Sequence, residues 1–167
     1  MVKTYLGLSS GVLTYSSSYK LNFQTTLICS NSIGGGKEMK VKDCMCGEVC
    51  WVKPDTKIYE IAKIMEQNHI GCVPVCDDQN CIVGIITDRD IILRGIASDK
   101  DVKSINASDI MTCNVCTCGQ NDDIYDAERK MATNQIRRIP VVDNNRVIGM
   151  LTLGDLCHYN DEIGEEH

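Results

Sequence analysis

From residue 40 onward the sequence repeats itself at a spacing of 66 residues. Asp43-Cys44-Met45 returns as Asp109-Ile110-Met111, and Val49-Cys50 as Val115-Cys116. Ile58-Tyr59 returns as Ile124-Tyr125, Met65 as Met131, Asn68 as Asn134 and Ile70 as Ile136. Pro74-Val75 and Asp77 return as Pro140-Val141 and Asp143. One residue is then lost in a turn, after which Gly84, Thr87 and Asp90 return as Gly149, Thr152 and Asp155. A deletion in a turn is what a folded duplication tolerates best. The chain must therefore fold as two like units. Two are too few for a solenoid, which needs at least about three.

Each copy reads in the same order. A short strand (Val49–Val52; Val115–Cys118) leads through a polar turn into a helix over 57–68 or 123–134. Ile58, Ile61, Ala62, Met65 and His69 share one face of the first helix at 3.6 spacing, as do Ile124, Ala127, Met131 and Gln135 on the second. An apolar strand, a polar turn (Asp77–Asn80; Asp143–Asn145) and another apolar strand then make a hairpin. A second helix starts after Thr87 or Thr152. The helix between strands one and two permits a parallel pair, and the hairpin an antiparallel one. About 60 residues make only a marginal core, so two β-α-β-β-α copies are expected to pack sheet to sheet about a pseudo-twofold axis. The fold class is α+β.

Composition narrows the function. Apolar residues make up 43% and charged residues 24%, an ordinary globular balance. No apolar run reaches the roughly 18–20 residues of a membrane helix. Net charge is −6, and nucleic-acid binding needs a basic footprint, so neither a membrane nor a nucleic acid is an expected partner. Eleven Cys stand against one Trp and one Phe. The count is odd and no signal peptide precedes it, so free thiols in a reducing cytoplasm are expected.

Residues 1–38 differ from the rest: seven Ser, five Gly and a charge of +2, leaving −8 on residues 39–167. Gly35-Gly36-Lys37 is not a phosphate loop, because Asn31 and Glu38 stand where that pattern needs Gly and Ser or Thr. Gly35–Met39 can instead be encoded by a purine-rich stretch resembling a ribosome-binding site followed by a start codon. On that reading Met39 is the true start and 1–38 a poorly ordered leader outside the native coding sequence. A flexible tail is the alternative. The expected divisions are 1–38, a first repeat at 39–104, a second at 105–160 and an acidic tail at 161–167.

The segments Gly71-Cys72-Val73-Pro74-Val75-Cys76-Asp77 and Ile82-Val83-Gly84-Ile85-Ile86-Thr87-Asp88-Arg89-Asp90 together resemble a CBS motif. Arg138–Asp143 with Val147–Asp155 resembles a second, and the likeness spans about residues 40–160. The resemblance implies a tandem CBS pair, or Bateman module. Such a module binds adenosine-containing ligands in clefts between the copies, pairs into a flat disc as a homodimer, acts through a partner protein or its own dimer, and has no chemistry of its own. It requires no cofactor; an adenine nucleotide would be its regulatory ligand.

Thr87/Asp90 and Thr152/Asp155 also have a purely structural reading as capping boxes. A helix start is in addition an anion site, and a carboxylate one turn in can accept from two ribose hydroxyls. The family often places a phosphate-binding Arg just before the apolar-Pro pair, which matches Arg138, next to Arg137. The first copy has Gly71 and Cys72 there. The favoured cleft therefore carries Arg138, Thr152 and Asp155, with the base packed near Met150 and near Val52 of the first copy. Ile85, Thr87 and Asp90 line the other cleft, which lacks the Arg and has Asp88 beside it, so a less charged ligand or an empty cleft is expected there. The alternative for Arg137-Arg138 is a solvated basic pair.

Cys44, Cys46, Cys113, Cys116 and Cys118 occupy matching stretches, and Cys-x2-Cys is a metal-ligand spacing. Cys50 and Cys116 also read as buried small apolar residues at strand positions. A metal- or redox-responsive protein on the same scaffold is thus a second reading, and a structural dimerisation module a third. His69 reads as a packed or half-exposed helix residue rather than a base, Cys157-His158 are chain neighbours, and no hydrolase or dinucleotide motif is present. An enzyme is not expected.

Overall fold

The computed structural model describes residues 39–157. The expected 1–38 leader, the 161–167 tail, His158 and His167 lie outside these described residues. Helix α1 (Val41–Cys44) leads into the first copy, which contains α2 (Ile58–Asn68), β1 (Cys72–Cys76), β2 (Ile82–Thr87) and α3 (Asp88–Asp90). The chain continues through a π turn at Ile91–Gly95 and a 3-10 turn at Ile96–Ser98. Helix α4 (Ala107–Ile110) then leads into β3 (Cys118–Gly119), α5 (Ile124–Asn134), β4 (Arg138–Asp143) and β5 (Arg146–Thr152). Residues 153–157 are helical.

Both hairpins form as expected. β1 pairs antiparallel with β2, Cys72 facing Thr87, and β4 with β5, Arg138 facing Thr152. Each has a register shift at the equivalent place, Val75/Cys76 and Val141/Val142. Asn80, Asn144 and Asn145 supply the positive φ of the turns, which Asn tolerates better than most residues.

The leading strand of each copy is shorter than expected. In the second copy it is Cys118–Gly119, parallel to β4, not Val115–Cys118. In the first copy it shrinks to one parallel bridge, Val52 to Val75. Proline is the reason. Val52 N donates to Pro74 O at 3.0 Å and Cys76 N donates to Val52 O at 2.9 Å. The next rung upstream would need an N–H on Pro74, which has none. Pro140 stands at the same place in the second copy.

The helix faces also differ in part. Ile58, Ile61, Ile64 and Met65 are the buried positions of α2, while Ala62 is exposed. His69 and Gln135 are exposed because both adopt left-handed backbone (φ 54° and 53°), which ends the helix and turns them off its face. In α5 the expected Ile124, Ala127 and Met131 are buried.

The two copies exchange their leading segments. Val41 is fully buried, yet it packs in the second copy's core with Ile124, Ala127, Met131, Ile139, Val141 and Leu151. Ile105, Ala107 and Ile110 pack in the first copy's core with Val52, Ile61, Val73 and Ile86. The first amides of each short helix are satisfied by the opposite copy's turn. Val41 N donates to Asp122 O (3.0 Å) and Lys42 N to Gln120 O (2.9 Å). Ala107 N donates to Thr56 O (2.8 Å) and Ser108 N to Pro54 O (2.9 Å).

The repeated Asp-x-Met has a local cause. Asp43 accepts from Lys40 N at 3.0 Å and Asp109 from Asn106 N at 2.8 Å, each holding its helix start. Met45 then lies on Gly149, and Met111 on Gly84. A Cβ on either glycine would come within 2.7 and 2.5 Å of the methionine sulfur. Glycine is required by this close approach of chain to chain.

Candidate functional site

Each hairpin ends in a Thr–Asp box beside the segment lent by the other copy, so each candidate cleft is bounded by both copies. In β2, Ile86 is fully buried in the core while Ile85 and Thr87 are half-buried on the opposite pleat face. In β5, Leu151 is buried and Met150 and Thr152 take the outer face. The backbones of Ile85 and Met150 are already engaged. Ile85 exchanges hydrogen bonds with Thr112 (3.0 and 2.9 Å), and Met150 with Cys46 (2.9 Å each way).

The boxes are near copies. Asp90 Oδ2 accepts from Thr87 N (2.9 Å) and Thr87 Oγ1 (2.7 Å), and Asp90 N donates back to Thr87 Oγ1 (3.2 Å). Asp155 Oδ2 accepts from Thr152 N (2.8 Å) and Thr152 Oγ1 (2.8 Å), and Asp155 N donates back at 3.3 Å. The capping role is thus realised in both. Each threonine hydroxyl spends its proton on its own carboxylate.

The surroundings of the two carboxylates differ. Asp90 Oδ1 lies 3.5 Å from Arg94 Nη1. That guanidinium also donates to Ile110 O (2.9 Å) and Thr112 Oγ1 (3.2 Å), tying the box to the lent segment. Asp155 has no cation partner among the described residues; its field instead reaches Cys44. Burial, then Asp43, then Asp155 push the Cys44 thiol above its ordinary pKa. Sequence reasoning passed over Arg94 and Thr112. The Asp90–Arg94 spacing of four on a helix was the available signal.

Arg138 faces Thr152 in the ladder, but its guanidinium reaches across to the first copy. A Cβ on Gly71 would stand 3.5 Å from Arg138 Nη1 and 3.0 Å from Asp88 Oδ2. The expected grouping of Arg138 with the Thr152 end is thus modified: the side chain sits between the copies, beside Asp88. Arg137 is exposed, and its carbonyl accepts from Leu153 N at 3.0 Å. Val52 is corrected. It is fully buried in the first copy's core, bridged to Val75, and presents no side chain to a cleft.

The candidate metal ligands are not gathered. No group of three or more His, Cys, Asp or Glu among the described residues could hold a metal ion. Cys46 and Cys113 are exposed. Cys44 donates to Met39 Sδ (3.3 Å), Cys116 accepts from Asn134 (3.6 Å), and buried Cys118 points to Pro140 O (4.0 Å). Cys50 apart, the other nine described cysteines are free thiols. Cys50 and Cys116 are half-buried rather than buried.

The fold and site define a class: paired α+β repeats that cross-brace each other and hold two Thr–Asp boxes at their shared boundary. The CBS domain family matches residues 41–97 and 107–162, and the chain belongs to that family. It is 40% identical over 117 residues to the CBS domain-containing protein YhcV of Bacillus subtilis, an alignment covering 70% of this chain and 82% of that protein. It is 28% identical over 121 residues to Hypoxic response protein 1 of Mycobacterium tuberculosis, covering 72% and 85%.

Among solved structures it resembles the CBS domain pair of protein MJ0100 in complex with 5′-methylthioadenosine and S-adenosyl-L-methionine (29% identity, 76% of this chain and 99% of that one, TM-score 0.66). It also resembles CBSX2 in complex with AMP (27%, 75% and 98%, TM-score 0.66). A third likeness is Hypoxic Response Protein I with two coordinated zinc ions (27%, 72% and 98%, TM-score 0.68). No helix among the described residues is long and apolar enough to cross a membrane.

Proposed function

We propose that the protein is a regulatory sensor that takes up an adenosine-containing ligand of the AMP, ADP or ATP class at the Thr152–Asp155 box, with no catalysis of its own. The observation that carries this is the Asp155 carboxylate. Thr152 holds one oxygen by two hydrogen bonds, and no cation stands on the other among the described residues. A fixed, unneutralised acceptor matches a vicinal ribose diol. Half-buried Met150 supplies apolar surface beside it, and exposed Arg138, whose backbone pairs with Thr152, is the cation offered to a phosphate. The solved complexes of MJ0100 and CBSX2 with adenosine ligands support the reading.

Two further parts of the proposal rest on surface and thiols. Ile92, Leu93 and Ile96 are 55%, 54% and 60% exposed on one short helical stretch, which supports a homodimer burying them. The free thiols support a reducing, cytoplasmic setting.

The test is a thermal-shift series with AMP, ATP, S-adenosylmethionine, 5′-methylthioadenosine, NAD and zinc. A ligand at a hundred times its Kd adds about 2.7 kcal/mol, or roughly 5–10 °C in a chain of this size. The expected result is a shift with at least one adenosine ligand that Asp155→Ala removes. A shift with zinc alone would overturn the reading in favour of thiol chemistry. No shift at all would leave a structural pairing module.

A further inference from the structure

The duplication makes the two boxes look interchangeable, yet one of them is already occupied from within. We infer that Arg94 is an internal counter-ion that closes the Thr87–Asp90 cleft, so that each chain takes up one adenosine ligand, at Thr152–Asp155. This deepens the proposed function and rests on it.

Three observations converge. First, Asp90 already faces a cation where Asp155 faces none among the described residues. One oxygen holds the two Thr87 donors, and the other faces Arg94 Nη1 at 3.5 Å. A diol reaching Oδ1 must compete with that cation for the oxygen. Second, Arg94 is not a loose surface charge. Its guanidinium donates to Ile110 O at 2.9 Å and to Thr112 Oγ1 at 3.2 Å. Thr112 is in turn fixed to Ile85 by reciprocal backbone bonds. A solvent-exposed ion pair alone is worth little. Here the same group is held by two further acceptors on the lent segment, so it stays beside Asp90 Oδ1.

Third, the repeat breaks at this place. Position 159, equivalent to Arg94, is Tyr, and position 46, equivalent to Thr112, is Cys. The second copy therefore has no cation at the matching position and no hydroxyl to anchor one.

Isothermal titration with AMP, and in parallel with uncharged 5′-methylthioadenosine, tests this on the full chain. Wild type is expected to bind one equivalent per chain. Arg94→Gln keeps an amide donor toward Ile110 O and removes the charge. It is expected to gain a second equivalent, bound at least tenfold more tightly than any second molecule by wild type. The retained first equivalent shows that the variant is folded. Asp155→Asn should remove the first equivalent, and Asp90→Asn in the Arg94→Gln background the second.

Two equivalents in wild type, or an unchanged single equivalent in Arg94→Gln, would overturn the inference while leaving the proposed function standing. A single wild-type equivalent that survives Asp155→Asn and disappears with Asp90→Asn would overturn it as well. Binding of neither compound by wild type and Arg94→Gln would overturn the proposed function and this inference with it.

Discussion

Replacing Gly149 by Ala tests whether the cross-bracing is as tight as the distances state. The added Cβ would stand 2.7 Å from Met45 Sδ, 3.0 Å from Cys46 O and 3.3 Å from Met45 Cγ. The methionine can swing, but the carbonyl cannot move freely. It belongs to the reciprocal Cys46–Met150 pair, both bonds at 2.9 Å. The lent segment must therefore back away from β5. Overpacking of this kind costs about 1–3 kcal/mol, which lowers Tm by roughly 2–12 °C in a chain of this size.

Gly154→Ala is the matched control. Its nearest neighbour is Thr152 Oγ1 at 3.5 Å, an ordinary contact, and it lies in a helical stretch. The same added methyl there should be neutral or stabilise by up to about 1 kcal/mol. Circular-dichroism melts give both values. In a Met45→Ala background most of the Gly149→Ala loss should remain, because Cys46 O still stands 3.0 Å away. Equal or higher Tm for Gly149→Ala, or a loss abolished without Met45, would refute the reasoning.

Two more outcomes follow from burial. Val41→Ala should cost about 1–3 kcal/mol, because Val41 is fully buried. Hydrogen exchange should then accelerate in α5 and β4 rather than in α2 and β1; the reverse would contradict the exchange of segments. Burial pushes the Cys72 and Cys118 thiols up to about 11 and Cys76 to about 12, from 9.0. Unfolded thiols then ionise first as pH rises, so the unfolded state holds fewer protons and stability falls. The contribution is whole below pH 9 and is lost between about 9 and 12. Urea unfolding at pH 7 to 10.5 should show a decline beginning near 9, less steep in Cys76→Val; a flat profile would contradict it.

Much of the architecture was legible because it rests on local physics. Helices α2 and α5 announce themselves by apolar spacing, the hairpins by Asn-rich turns between apolar strands, and the boxes by Thr and Asp three apart. The leading strands were overdrawn because alternation of apolar residues does not show a missing donor. Pro74 and Pro140 remove the rung only once the parallel partner is known. Ala62 was misassigned and Ile64 missed because a stripe near 100° per residue leaves its edge positions to the neighbour that packs there. At the site, Thr152 and Asp155 were visible as a pair. Val52 was not separable from a cleft residue, since a core side chain and a ligand-facing one have the same apolar identity.

By itself the sequence determined that there are two units, what each contains, and which Thr–Asp pairs cap them, because duplication, periodicity and capping are written in residue order. It did not determine which leading segment serves which unit. Met45 and Met111 fit Gly84 and Gly149 equally well by type, and only the packed chain sends each methionine to the opposite copy. Nor did it determine that the boxes differ. Arg94 reads as one more surface cation until the fold lays it between Asp90, Ile110 and Thr112. Contacts between distant segments depend on how the two cores dock. That is set by the shape of buried surfaces rather than by spacing along the chain.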